Sequence, residues 1–167
     1  HPLEEQVAAQ VVDLIPCAEM VRFAKNGTDA TSAAIRLARA ASGRDHVTAG
    51  GYPGRQAWFL GSTRRILGVP AATQALTHAV PYNDLAAVER VIAAHPDGIA
   101  ALIMEPMTST WPEPGFLEGV REVTQRHGIV LVFDEMLTGF RFAAGGAQEY
   151  FGVTPDLAAF GKGLANG

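Results

Sequence analysis

Lysine occurs at only two positions, Lys25 and Lys162, against eleven arginines, so any chemistry that needs a primary amine has two candidates. Lys162 follows Leu157-Ala158-Ala159-Phe160-Gly161 and has glycine on both sides, an apolar setting that would favour the neutral, nucleophilic amine. The plainer reading is a solvated loop lysine. A second constellation is Val130-Leu131-Val132-Phe133, an apolar run that leads straight into Asp134, Glu135 and Met136. A carboxylate at the carboxyl end of a buried strand, beside a cleft, can hold a cationic centre. Neither His nor Cys stands at ligand spacing beside these acids, so a metal is not expected there. Glu105-Pro106 repeats the pattern after Ile99 to Met104, which would set two acids side by side on neighbouring strands. Asp134 or Glu135 could instead simply cap the turn that follows residues 130–133.

Two further segments supply different chemistry. Lys25-Asn26-Gly27-Thr28-Asp29-Ala30 opens a helical pattern, and backbone N–H groups at such a start, beside a glycine and a threonine hydroxyl, can cradle a phosphate. The same residues also suit an ordinary Asn-Gly turn with an N-cap. In Gly50-Gly51-Tyr52-Pro53-Gly54 an aromatic ring stands on a glycine turn, where it could stack on a planar ligand or merely pack. A phosphate cradle, a flat aromatic, a strand-end acid and a strand-end lysine together meet the needs of one cofactor, pyridoxal 5′-phosphate. It has a phosphate, a flat ring, a ring nitrogen that works best protonated, and an aldehyde that takes up an amine.

The elements that must position these residues alternate. Apolar runs at Val21 to Phe23, His46 to Ala49, Ala75 to Val80, Ile99 to Met104, Ile129 to Phe133 and Leu157 to Phe160 suggest six strands. Leu3 to Ile15, Ala30 to Ala41, Asp84 to His95 and Pro114 to His127 carry apolar residues at helical spacing. Alternation of this kind predicts an α/β fold on a mostly parallel sheet with helices on both faces, and its ligands belong at the carboxyl ends of the strands. The chain has 167 residues, a net charge of −4 and 48% hydrophobic residues, enough for one sizeable core. It has no basic stripe for nucleic acid and no apolar run of the roughly 18 residues a membrane span needs. The lone Cys17 fits a reducing, cytoplasmic setting.

Asn26-Gly27-Thr28-Asp29-Ala30, Gly51-Tyr52-Pro53-Gly54, Glu105-Pro106, Phe133-Asp134-Glu135 with Thr138-Gly139-Phe140-Arg141, and Pro155-Asp156-Leu157 before Gly161-Lys162 resemble, in order and spacing, the class III pyridoxal-phosphate aminotransferases. Within that class the stretch Gly139 to Gln148, with Gly145-Gly146-Ala147-Gln148, is most similar to glutamate-1-semialdehyde aminomutase and related enzymes. The resemblance implies a fold type I large domain with a mixed seven-stranded sheet and an active site shared between two subunits of a homodimer. It implies that Lys162 forms the internal aldimine, that Asp134 holds the protonated ring nitrogen, and that Met136 and Tyr52 pack on opposite ring faces. Asn26, Gly27 and Thr28 would bind the phosphate, with Glu105 supporting Asp134.

Pro53 stands where the family has histidine, and Asp29 where it has glutamate. The expectation is that residues 1–167 are one incomplete cofactor-binding large domain, with an N-terminal segment and a C-terminal small domain outside them, inactive when isolated. The function expected is amino-group transfer, as an aminotransferase or aminomutase, between a small-molecule amino donor and a carbonyl acceptor. Two readings compete with it: a non-catalytic relative serving assembly or regulation, and a phosphate-binding enzyme without this cofactor.

Overall fold

The computed structural model describes residues 1–51 and 54–165, and its helices and strands alternate as their patterns require. Helices α1 (Pro2–Leu14) and α2 (Gly27–Ser42) precede strand β1 (His46–Gly50); the short helices α3 (Ala57–Leu60) and α4 (Ala71–Gln74) lead to β2 (Thr77–Ala79). Then come α5 (Leu85–Ala94), β3 (Ile99–Met104), α6 (Phe116–Arg126), β4 (Val130–Asp134), α7 (Ala147–Phe151), β5 (Leu157–Ala159) and a 3₁₀ turn at Lys162–Ala165.

The five strands pair in parallel in the order β2-β1-β3-β4-β5. The order reverses between β1 and β3, and a crevice opens at the carboxyl ends of the strands where such a reversal occurs. Residues alternate between the two faces. Ala101 and Ile103 of β3 and Val132 of β4 pack under Ala34, Ile35 and Ala38 of α2. Leu102, Met104, Leu131 and Phe133 pack instead against Val88 and Ile92 of α5 and Leu117, Val120 and Val123 of α6. All six residues of β3 are buried, as a central strand covered on both faces demands.

The four long helices lie within two or three residues of the expected ranges. Asn26 caps α2, its side chain accepting from the Asp29 amide at 3.1 Å, and Gly43 ends the helix in the left-handed region. The expected strand at Val21 to Phe23 does not form. Those three residues are loop, Phe23 is 45% exposed, and the described strands offer them no partner, so an apolar triplet there gains nothing from extension. The described sheet therefore has five parallel strands, not six, and not the mixed seven that the resemblance implied.

The contact of Ala34, Ile35 and Ala38 with the sheet is the packing that seats α2. Ile35→Ala should cost about 2–5 kcal/mol by leaving a cavity beneath the helix. Leu37→Ala, at a residue 56% exposed, should stay within about 0.5 kcal/mol. Urea unfolding of the two variants checks this, and equal losses would mean α2 is not seated by its Ile35 face.

Candidate active site

Register alone assembles the candidate residues. Gly50 pairs with Met104, Met104 with Phe133, and Asp134 with Ala159. Continued by one residue, this pairing sets Gly51, Glu105 and Asp134 in a row, with Lys162 three residues past Ala159 on the next strand. Glu105 has the parity of Ala101 and Ile103, and Asp134 that of Val132, so both acids leave the sheet on the α2 side. Close contacts agree. A Cβ on Gly51 would lie 2.8 Å from Glu105 Oε1, and one on Gly27 or on Gly161 would lie 2.7 Å from Met136 Sδ. Met136 thus fills the space between the start of α2 and the residue before Lys162. Gly54, at φ +130°, lies against Thr28, where a Cβ would come within 3.0 Å of Thr28 Oγ1.

Asp134 is 4% exposed. Its Oδ1 accepts one hydrogen bond, from the Met136 amide at 3.0 Å. Burial pushes its carboxyl up to about 6; the Met136 hydrogen bond opposes this, the Glu105 charge adds to it, and the Lys162 charge opposes it. A carboxylate in this state is short of positive charge. The phenol of Tyr82, which donates to Pro106 O at 2.7 Å, is pushed up to about 12 by burial and then by Glu105.

Glu135, the next residue, is 0% exposed and has the opposite environment. It accepts from Thr138 Oγ1 at 2.5 Å, from the amides of Ala147 and Gln148 at 2.8 and 3.0 Å, and from Gln148 Nε2 at 3.4 Å. Gln148 Oε1 in turn accepts from the Cys17 amide at 3.0 Å. Gly146 is forced by this arrangement, since a Cβ there would lie 2.7 Å from Glu135 Oε1 at φ +83°. Glu135 is therefore the anchor that holds α7 and the loop after β4, and so fixes where Asp134 sits. The resemblance singled out Asp134 and gave Glu135 no role, and Glu135's anchoring is visible only from its tertiary donors.

Lys162 is exposed, so the apolar setting expected from its neighbours is absent in the described chain. Its φ of +40° lies in the left-handed region, a strain on the order of 1–3 kcal/mol that clusters at functional sites. The Asn26 side chain is engaged in the cap, donating to Asp29 Oδ2 at 2.9 Å as well as accepting from the Asp29 amide. The first amides of α2, at Gly27 and Thr28, have no described hydrogen-bond partner, as the first turn of a helix leaves its N–H groups unpaired within the helix. Tyr52 and Pro53 lie outside the described residues.

The residues fit a ligand with a phosphate and a cationic ring: two helix-start amides beside a glycine, a buried carboxylate short of positive charge, and a lysine at the adjacent strand end. A family model described as Aminotransferase class-III matches residues 1–167. An omega-transaminase from Sphaerobacter thermophilus superposes with a TM-score of 0.88 at 33% identity, over 97% of this chain and 42% of that one. The FumI protein of Sphingopyxis sp. MTA144, in its PLP internal aldimine form, gives 0.90 at 29% identity over 97% and 40%. A glutamate-1-semialdehyde-aminomutase from Pseudomonas aeruginosa PAO1 gives 0.80 at 28% over 97% and 38%. The chain spans about two fifths of the length of these structures.

Two expectations follow. Glu135→Ala should destabilise by about 3–5 kcal/mol, since buried donors lose a charged acceptor, as read by denaturant unfolding. An unchanged midpoint would remove Glu135 as the anchor. For Asp134 the folded carboxyl lies above its ordinary 3.8. Folding thus favours the protonated form, and the stabilisation is complete below about pH 4 and lost as pH rises through about 6. In cofactor-free protein, Asp134→Asn should therefore gain stability relative to wild type between pH 4 and 7, on the order of 3 kcal/mol at full effect. A pH-independent difference would contradict the burial of a carboxylate that accepts a single hydrogen bond.

Proposed function

Because the chain belongs to the class-III aminotransferase family, we propose that it forms the cofactor-binding core of a pyridoxal-phosphate-dependent aminotransferase or aminomutase. The observation that carries this reading is the meeting of Asp134, Lys162 and the start of α2 at the carboxyl ends of neighbouring strands. Pyridoxal 5′-phosphate, when bound, supplies an aldehyde that takes up an amine and a protonated ring that accepts electrons.

The chain's own residues do the rest. The Gly27 and Thr28 amides, at the positive end of α2, bind the phosphate. The Asp134 carboxylate binds the ring N–H, and burial makes that charge pair stronger than it would be in water. Glu105, beside Asp134, adds negative potential on the same side. Met136 supports one face of the ring from between Gly27 and Gly161, and Tyr52 is assigned to the other face from the resemblance alone. Lys162 Nζ would be the amine that holds the cofactor's aldehyde end, and the same amine would take a proton from the substrate α-carbon and return one, as general base and then general acid. Two copies of the chain are expected to pair, with a small amine as donor and a carbonyl compound as acceptor.

Borohydride reduction of the full-length holoenzyme, followed by peptide mapping, should place the pyridoxyl group on Lys162. Lys162→Ala should slow the half-reaction with an amino donor by about 10²–10⁴-fold or more while the protein still retains cofactor. Label on Lys25, or near-normal rates in the variant, would overturn the assignment.

A further inference from the structure

Three histidines that no sequence spacing connects meet at the β2 edge of the sheet. His46 opens β1, His78 sits in the middle of β2, and His95 ends α5 as its C-cap. They are 32 and 17 residues apart along the chain. His46 lies on the face of β1 opposite to Val47 and Ala49, which pack under α2, so it faces the α5 side. His78 pairs with Thr48 and shares that face. The site is at the opposite end of β1 from Gly50, on the order of 13 Å along the strand at about 3.3 Å per residue. It is separate from the strand-end site described above.

His46 Nδ1 lies 2.9 Å from His78 Nε2. Ring centroids are 5.1 Å apart for His46 and His78, 4.5 Å for His46 and His95, and 4.2 Å for His78 and His95, with planes 22–30° apart. One ring nitrogen from each residue lies within 4.8 Å of the other two. Among the described residues no carboxylate pairs with any of the three. All three are half-buried, so an ion can reach them from solvent. His78 is held below the ordinary histidine range by burial, then by His95 and by His46. His46 Nδ1 and His78 Nε2 share a hydrogen bond in which one of them donates, and an ion entering between the rings would replace that contact with two nitrogen ligands. Three imidazoles gathered this closely are the donor set that a borderline divalent ion selects.

We propose that His46, His78 and His95 form a three-imidazole site for a divalent transition metal, zinc foremost, with the fourth position left to water. Tetrahedral zinc at about 2.0–2.1 Å from each nitrogen places the nitrogens about 3.3 Å apart. The observed separations, from 2.9 Å to within 4.8 Å, bracket that value. The rings are stacked as they stand, so binding would require rotation about χ2, a broad torsion for histidine, to turn one nitrogen of each ring toward a common ion. The ion would clip the three-residue edge strand β2 and the end of α5 to β1, so its role is structural and not a step in amino transfer.

The test uses untagged full-length holoenzyme, stripped with a chelator and titrated with Zn²⁺ by calorimetry. One equivalent per chain should bind, and at a free zinc concentration about a hundred times the Kd the melting temperature should rise by roughly 3 °C or more. Both effects should be lost in His78→Gln and His95→Gln and kept in His127→Gln. Co²⁺ as a probe should give the visible bands of a tetrahedral nitrogen site without thiolate charge transfer, which excludes Cys17. A wild-type measurement covers the case in which a variant fails to fold: Co²⁺ should shift three histidine ring signals together in the proton NMR spectrum. Absence of stoichiometric binding to the folded protein, binding unchanged in both Gln variants, or a cobalt–thiolate band would overturn the proposal.

Discussion

A carboxylate kept from water at the end of β4 is the constraint around which the strand-end site is organised. Asp134 has one described hydrogen bond and 4% exposure, and its carboxyl is pushed up to about 6. Burying an ionised acid in that state is unfavourable unless a positive group stands beside it. In a cofactor-free chain Lys162 supplies part of that charge from the next strand end. A protonated ring nitrogen would supply the rest. On the proposed function, that unfavourable burial would be relieved by a bound ring, and the relief would favour the ring's protonated form.

The neighbouring acid shows what a satisfied carboxylate looks like in the same fold. Glu135 is fully buried, yet it accepts from two amides, a hydroxyl and a side-chain amide, and through them fixes α7 and the loop that follows β4. Consecutive residues on one strand end therefore divide the work. The one turned into the α7 loop is saturated and rigid, and the one turned toward α2 is left short of partners. Rigidity at Glu135 gives Asp134 a defined position, and a charge placed in advance is worth more than one that must reorganise.

How far the sequence carried depended on how local each signal was. The strand-end acids at 105 and 134 and the lysine at 162 were legible, because apolar runs ending in a charged residue mark the carboxyl ends of parallel strands. The four long helices were legible from spacing. Val21 to Phe23 misled, since three apolar residues look the same in a strand and in a loop until partners are known. Helix α7, at five residues, is too short to show a period, and its start is set by Glu135 from twelve positions away. The division of labour between Asp134 and Glu135, and the meeting of His46, His78 and His95, are tertiary facts with no trace in spacing.

On the proposed function, Asp134 holds the cofactor ring nitrogen in its protonated, cationic form. The most direct measurement is the ¹⁵N NMR shift of ring-labelled pyridoxal phosphate bound to the full-length protein above neutral pH, compared with the Asp134→Asn variant. A pyridinium shift in the wild type that moves to the neutral pyridine position in the variant is the expected result. A neutral pyridine shift in the wild type, or a pyridinium shift that persists in the variant, would contradict the account.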